Sequence, residues 1–162
     1  RIPANHGFDI NTHYTNYSPI ELEGEIYVNL HTIDQSEVQY EAQSLFLNRD
    51  NITLPANQKT TLTSDYTFND SRSIFMLTAH AHKHMEEFRI SIKGGARDGE
   101  LIYYTNDWGH PEIKEYISPI ELKPGEGLRA EATYDNTTNN TLRFGLLSTD
   151  EMMIVFGAYY TK

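Results

Sequence analysis

The chain has 162 residues and carries 13 Lys and Arg against 23 Asp and Glu, a formal net charge of −10. That length suits one domain, or one domain with a fragment of a second, and an acidic surface repels phosphate backbones, which argues against nucleic acid as a partner. No apolar run reaches the roughly 18 residues of a membrane span, and with no Cys there is no disulfide, thiolate metal site or thiol nucleophile. The chain opens at Arg1 rather than Met and shows no charged-then-apolar leader, the expectation for a processed product or an excised piece. Eleven Tyr and seven Phe supply a core. With frequent Thr and Gly/Asn/Pro punctuation they favour short strands over disorder.

Phe8, Ile10, Thr12 and Tyr14 alternate with Asp9, Asn11 and His13, the two-residue period of a strand, until Tyr17-Ser18-Pro19 breaks it. Residues 25–33 read as a strand with Ile26, Val28 and Leu30 on one face. Residues 38–47 alternate again, Val38, Tyr40 and Ala42 against Gln39, Glu41 and Gln43, with a helix as the alternative. Beyond the turn at 48–51, residues 59–68 are Thr-rich and strand-like, and 69–71 turn the chain into a strand over 73–82. Phe88, Ile90 and Ile92 oppose Arg89 and Ser91 over 87–93, and the Gly-rich loop 94–99 leads hairpin-fashion into 100–105. Residues 106–124 hold Pro111, Pro119, Pro124 and the only Trp, Trp108; they read as a long ordered loop enclosing a short strand. Strands over 127–135, 141–147 and 153–160 complete about ten, at spacings of roughly 8–12 residues, the pattern of an all-β, antiparallel β-sandwich or jelly roll. Residues 1–34 are expected to be the tail end of a preceding domain or the first strands of the sandwich, and 35–162 the jelly-roll domain. Ser18-Pro19-Ile20-Glu21-Leu22 recurs as Ser118-Pro119-Ile120-Glu121-Leu122, but the flanks do not match, so it reads as coincidence rather than a repeat. Five N-x-[ST] sequons, at Asn16, Asn51, Asn69, Asn136 and Asn139, matter only in a eukaryotic secreted protein.

The densest group of ligating side chains is Thr78-Ala79-His80-Ala81-His82-Lys83-His84. On a strand, His80 and His82 share a face with β-carbons roughly 7 Å apart, so both imidazoles can converge on one metal ion; His84 joins them only if the strand runs on straight. An exposed polar strand end is the alternative. Ser148-Thr149-Asp150-Glu151-Met152-Met153 is an acidic turn entering a Met pair ahead of Ile154-Val155-Phe156. Adjacent residues of a strand face opposite ways, so one Met can enter the core and the other a site. A thioether is a soft, neutral ligand that suits copper, Cu(I) above all, and suits Zn²⁺, Mg²⁺ or Ca²⁺ poorly. A buried Met that only fills space is the alternative.

Taken in order, His80-Ala81-His82, residues 88–92, Asn106-Asp107-Trp108-Gly109-His110-Pro111, Leu122-Lys123-Pro124-Gly125-Glu126-Gly127-Leu128, Tyr134-Asp135-Asn136-Thr137 and Ser148-Thr149-Asp150-Glu151-Met152 resemble the C-terminal domain of the copper type II, ascorbate-dependent monooxygenases. That family includes the peptidylglycine α-hydroxylating and dopamine β-monooxygenases and bacterial relatives, and the resemblance covers about 73–160. It implies that His80, His82 and Met152 hold the oxygen-binding copper, with a position left open for O2. It further implies hydroxylation of a C–H bond in a small-molecule or peptide substrate and electrons from ascorbate; no catalytic residue is assigned beyond the metal ligands. Gly7-Phe8 followed by Thr12-His13-Tyr14-Thr15-Asn16 is similar to the last His-bearing strand of the family's preceding domain. The similarity implies that His13 is the single His of a second, electron-transfer copper, completed by a His pair from an upstream domain; loss of that site, with His13 a strand residue bonded to its neighbours, is the alternative. The family works outside the cytoplasm, so a periplasmic or secreted location is expected. The sequence departs from the pattern at Met85, where Gly is usual, in lacking the family's disulfides, and in His84, an extra imidazole beside the site and a candidate auxiliary ligand. His6, His31 and His110 fall in no such spacing and read as structural.

Two other readings use the same residues. His80-x-His82-x4-Glu87-x6-Gly94 fits the first motif of a cupin, a jelly roll whose metal is held by three His and one Glu. However, Ile74 stands where that motif opens with Gly, and no His follows Pro124-Gly125 at the second motif. The other reading is a copper- or carbohydrate-binding module of a larger protein that does no chemistry alone, because hydroxylation consumes two electrons and a single copper needs an outside donor between steps.

Overall fold

In the computed structural model, which describes residues 5–10, 12, 14 and 16–162, the first strand starts at Gln43. Ten strands follow among the described residues: β1 (Gln43–Asn48), β2 (Thr53–Leu54), β3 (Gln58–Thr67), β4 (Arg72–His80), β5 (Met85–Lys93), β6 (Leu101–Thr105), β7 (Lys114–Leu122), β8 (Gly127–Asn136), β9 (Leu142–Arg143) and β10 (Ile154–Tyr160). They form two four-stranded sheets, ordered β1-β10-β4-β7 and β3-β8-β5-β6, and the small pair β2-β9. Every pairing within the sheets is antiparallel. The expected all-β sandwich is thus the fold observed. No helix among the described residues is long and apolar enough to cross a membrane.

The sequence alternation becomes burial. Along β8, Leu128, Ala130, Ala132 and Tyr134 are buried while the residues between them are half-exposed, as a strand with one inward face requires. Phe88, Ile90 and Ile92 of β5 add to the same inner layer; Leu45, Ile74, Leu77, Ala79 and Val155 supply the facing layer from β1, β4 and β10. Each large side chain so buried contributes about 1.5–3 kcal/mol of transfer free energy.

The chain divides into two units, Arg1–Gln39 and Tyr40–Lys162. In the first, regular structure among the described residues is confined to a 3-10 turn, Gln35–Glu37, capped by Asp34, whose carboxylate accepts the Ser36 N–H at 2.8 Å. The strands expected over 8–15 and 25–33 are not formed by the described residues there. Alternation supplies a strand with two faces, but its N–H and C=O groups need a neighbouring strand to form a ladder.

Two other expectations are corrected. The strand expected over 38–47 forms, and not its helix alternative, but it starts only at Gln43. The stretch 106–124 holds a nine-residue strand, β7, rather than a short one. Pro119 masks it in the sequence; it is tolerated because β7 lies at a sheet edge. Around it the pairing with β4 slips: Ile74 faces Ile120, whereas Met76 faces Glu115.

Candidate metal centre

β4 ends at His80, whose cross-strand partner is Ile154, the first residue of β10. On the other side Ile154 pairs with Asn48, so His80, Ile154 and Asn48 form one row across the sheet. The next row of the same face holds Thr78, Phe156 and Phe46. The core side chains of these strands, such as Leu77, Ala79 and Val155, lie at the alternate positions, so His80 sits on the outer face of its sheet. If the register ran on for two residues, Met152 would stand opposite His82. The ladder stops before that. Residues 81–84 leave the sheet in a turn closed by the Met85 N–H on the His82 carbonyl at 3.0 Å.

The two rings still meet. The His80 and His82 centroids are 5.2 Å apart with their planes at 83°, and His80 packs edge-on to Phe156 at 6.4 Å. Two imidazoles sharing one ion through bonds of about 2.0–2.1 Å, splayed at a roughly tetrahedral angle, have centroids about 5 Å apart. His82 Nδ1 lies 2.9 Å from the Asp150 carbonyl oxygen. A carbonyl only accepts, so Nδ1 carries the proton and Nε2 presents its lone pair. Burial first, and then the neighbouring His82, hold the His80 imidazole below its ordinary pKa. That favours the neutral form a metal requires.

The acidic turn is built around these imidazoles. Glu151 is fully buried, and its carboxylate accepts the backbone N–H of His82 at 3.0 Å and of His84 at 2.9 Å. Burial pushes the Glu151 carboxyl above its ordinary range, and the two amides pull part of the way back. Its own backbone is fastened elsewhere, donating to the Arg143 carbonyl at 3.0 Å and accepting from Gly145 at 3.3 Å. Asp150 Oδ2 accepts the Leu147 N–H at 3.2 Å so close to Gly145 that a β-carbon there would stand 2.1 Å from it. Met152 is 7% exposed and outside the main core cluster, whereas Met153 is inside it. The Met152 carbonyl takes the hydroxyl of buried Tyr134 at 2.7 Å.

His84 does not continue the strand. Its Nδ1 donates to the Asp135 carbonyl at 3.2 Å while Asp135 N–H returns a bond to the His84 carbonyl at 2.8 Å, and its buried Nε2 has no hydrogen-bond partner. His13 lies outside the described residues. Among the described residues no group of three or more His, Cys, Asp or Glu is placed to hold a metal ion. The thioether of Met152 belongs to the turn whose Asp150 carbonyl meets the His82 ring. Two neutral nitrogens and a soft sulfur are a donor set that suits copper. Glu87, the carboxylate a cupin would need, is instead engaged with Arg89 at 3.1 Å.

Glu151 and Tyr134 lie in segments that carry the resemblance, but neither was assigned a role from sequence. An acid between Asp150 and Met152 has the look of a solvated turn, and nothing local reports that it is buried beneath a segment almost seventy residues earlier. No curated protein matches the chain. The family model for the C-terminal domain of copper type II ascorbate-dependent monooxygenases matches residues 40–162, a span that takes in all ten strands and the His80, His82 and Met152 segments. The chain belongs to the copper type II ascorbate-dependent monooxygenase family, through that family's C-terminal domain.

Proposed function

We propose that Tyr40–Lys162 binds one copper ion through the imidazoles of His80 and His82 and the sulfur of Met152, and serves O2-dependent hydroxylation of a substrate C–H bond. The observation that carries this reading is the pair of rings 5.2 Å apart, with His82 turned by a carbonyl two residues before Met152. Bound there, copper supplies the O2 chemistry, with ascorbate as the external electron source. The protein's own part is to present neutral nitrogens, fix their direction and shield them. Asp150 orients His82, burial favours the neutral form of His80, and Phe156 and Ile154 give His80 an apolar flank. That flank limits water and admits the hydrocarbon portion of a small-molecule or peptide substrate. In the same reading His13, with a His pair from an upstream domain, belongs to the second, electron-transferring copper, and His84 is an auxiliary donor.

Replacing the sulfur tests the proposal. Met152→Ile keeps the bulk but removes the soft donor, so Cu(I) affinity should fall by at least about tenfold while Cu(II), held by the imidazoles, changes much less. Equal losses for the two oxidation states remove Met152 from the ligand set. Ascorbate and O2 consumption by the copper-loaded protein should exceed that of free copper in the presence of a substrate. A rate no greater than free copper leaves a binding module without chemistry of its own.

A further inference from the structure

Three consecutive residues act on the His segment in different ways. Asp150 lends a carbonyl to the His82 ring, Met152 carries the thioether, and Glu151 between them holds the backbone. Residues 81–84 have left the β4 ladder, so the amides of His82 and His84 have no strand to bond with. One carboxylate takes both, through separate oxygens. Burying a carboxylate costs several kcal/mol unless it is well paired, and among the described residues no Lys or Arg forms an ion pair with Glu151. A residue that only had to fill this space would be apolar, as Met153 and Val155 are. What the carboxylate does that an apolar side chain cannot is tie the His-bearing turn to the Met-bearing turn at a fixed distance. The Glu151 backbone, anchored on Arg143 and Gly145, makes that tie rigid from the other side.

We infer that Glu151 is a positioning residue whose carboxylate, by holding the His82 and His84 amides, sets the fit between the imidazole pair and the Met152 thioether, and through it the preference of the site for Cu(I). This rests on the copper reading above. Outer partners of this kind commonly change metal affinity about 10–100-fold.

The test compares the wild-type chain with Glu151→Gln. Gln keeps the shape and one acceptor oxygen but turns an NH2 towards the second amide, donor against donor. The expected result is a folded variant with wild-type circular dichroism, Cu(I) bound about 10–100-fold more weakly, a diminished copper–sulfur signal in X-ray absorption, and a smaller change for Cu(II). A folded variant with wild-type Cu(I) affinity and an intact copper–sulfur signal overturns the inference. A wild-type protein with no sulfur at its copper overturns the copper reading itself, so the two failures are distinct. Amide hydrogen exchange of the metal-free wild type adds an arm that does not depend on the variant folding. The His82 and His84 N–H groups should be protected as well as those in β4, and exchange at the rate of an exposed loop overturns the clamp.

Discussion

Asn136 shows how much a single amide holds here. It is wholly buried, and its NH2 serves the carbonyls of Leu54, Pro55 and Asn140 at 2.8–3.0 Å. Its oxygen accepts the Thr138 N–H at 3.1 Å and hydroxyl at 2.7 Å. The β2 strand and the loop after β8 are thereby sewn together through one side chain. Asn136→Asp, almost identical in shape, would set an acceptor against three acceptors. Since each buried group left unsatisfied costs about 1–3 kcal/mol, we expect a loss of about 3 kcal/mol or more by urea denaturation at pH 7; a loss below about 1 kcal/mol would show the network to be dispensable. The same burial means that the sequon at Asn136 offers no nitrogen to a glycosyl donor in the folded protein.

At the scale of the element, β10 is the strand on which the site depends, since it lies between β1 and β4 and begins two residues after Met152. Gly157 in its middle leaves room for the next strand: a β-carbon there would stand 2.4 Å from the Met76 carbonyl oxygen and 3.0 Å from a Leu77 methyl. Backbone cannot yield as a side-chain tip can, so Gly157→Ala is expected to cost about 1–3 kcal/mol and to lower the thermal midpoint; an unchanged midpoint would mean that the sheet gives way freely at this point. Elements of this kind were readable wherever one face is buried. In β5 and β8 the alternation Phe88-Ile90-Ile92 and Leu128-Ala130-Ala132-Tyr134 is a direct copy of inside and outside. The His80–His82 spacing and the Met152 turn were legible for a related reason, because their chemistry is unusual enough to stand out in one dimension. β7 was obscured by Pro119, whose acceptability depends on a place at the sheet edge that sequence does not disclose. Over 25–33 alternation misled in the opposite sense, as no strand forms there among the described residues. Glu151 was out of reach because its meaning lies in the amides of His82 and His84.

For the whole molecule the acidic charge matters through its pairings. The guanidinium of Arg129, bonded to Asp65 at 2.7 and 2.9 Å, holds that carboxyl below its ordinary range. Lys162 does the same for Glu121, with Ser73 assisting. A carboxyl whose folded pKa is depressed contributes stability that is present above its unfolded value and is lost as pH falls through the folded one. Glu151, raised by burial, works in the opposite direction, its share being present below the ordinary Glu value and lost as pH rises through its folded value. The urea midpoint is therefore expected to drop as pH is lowered below about 4, and Asp65→Asn should make that acid limb shallower; an identical limb in the variant would remove the pair from the acid response. The slipped register of β7 has a last consequence at this scale. A strand offered by another molecule needs an unbroken row of amides and carbonyls to dock on. Along this rim it meets a proline without an N–H and a strand whose register is broken. That side of the sandwich is therefore a poor backbone template for fibrillar stacking.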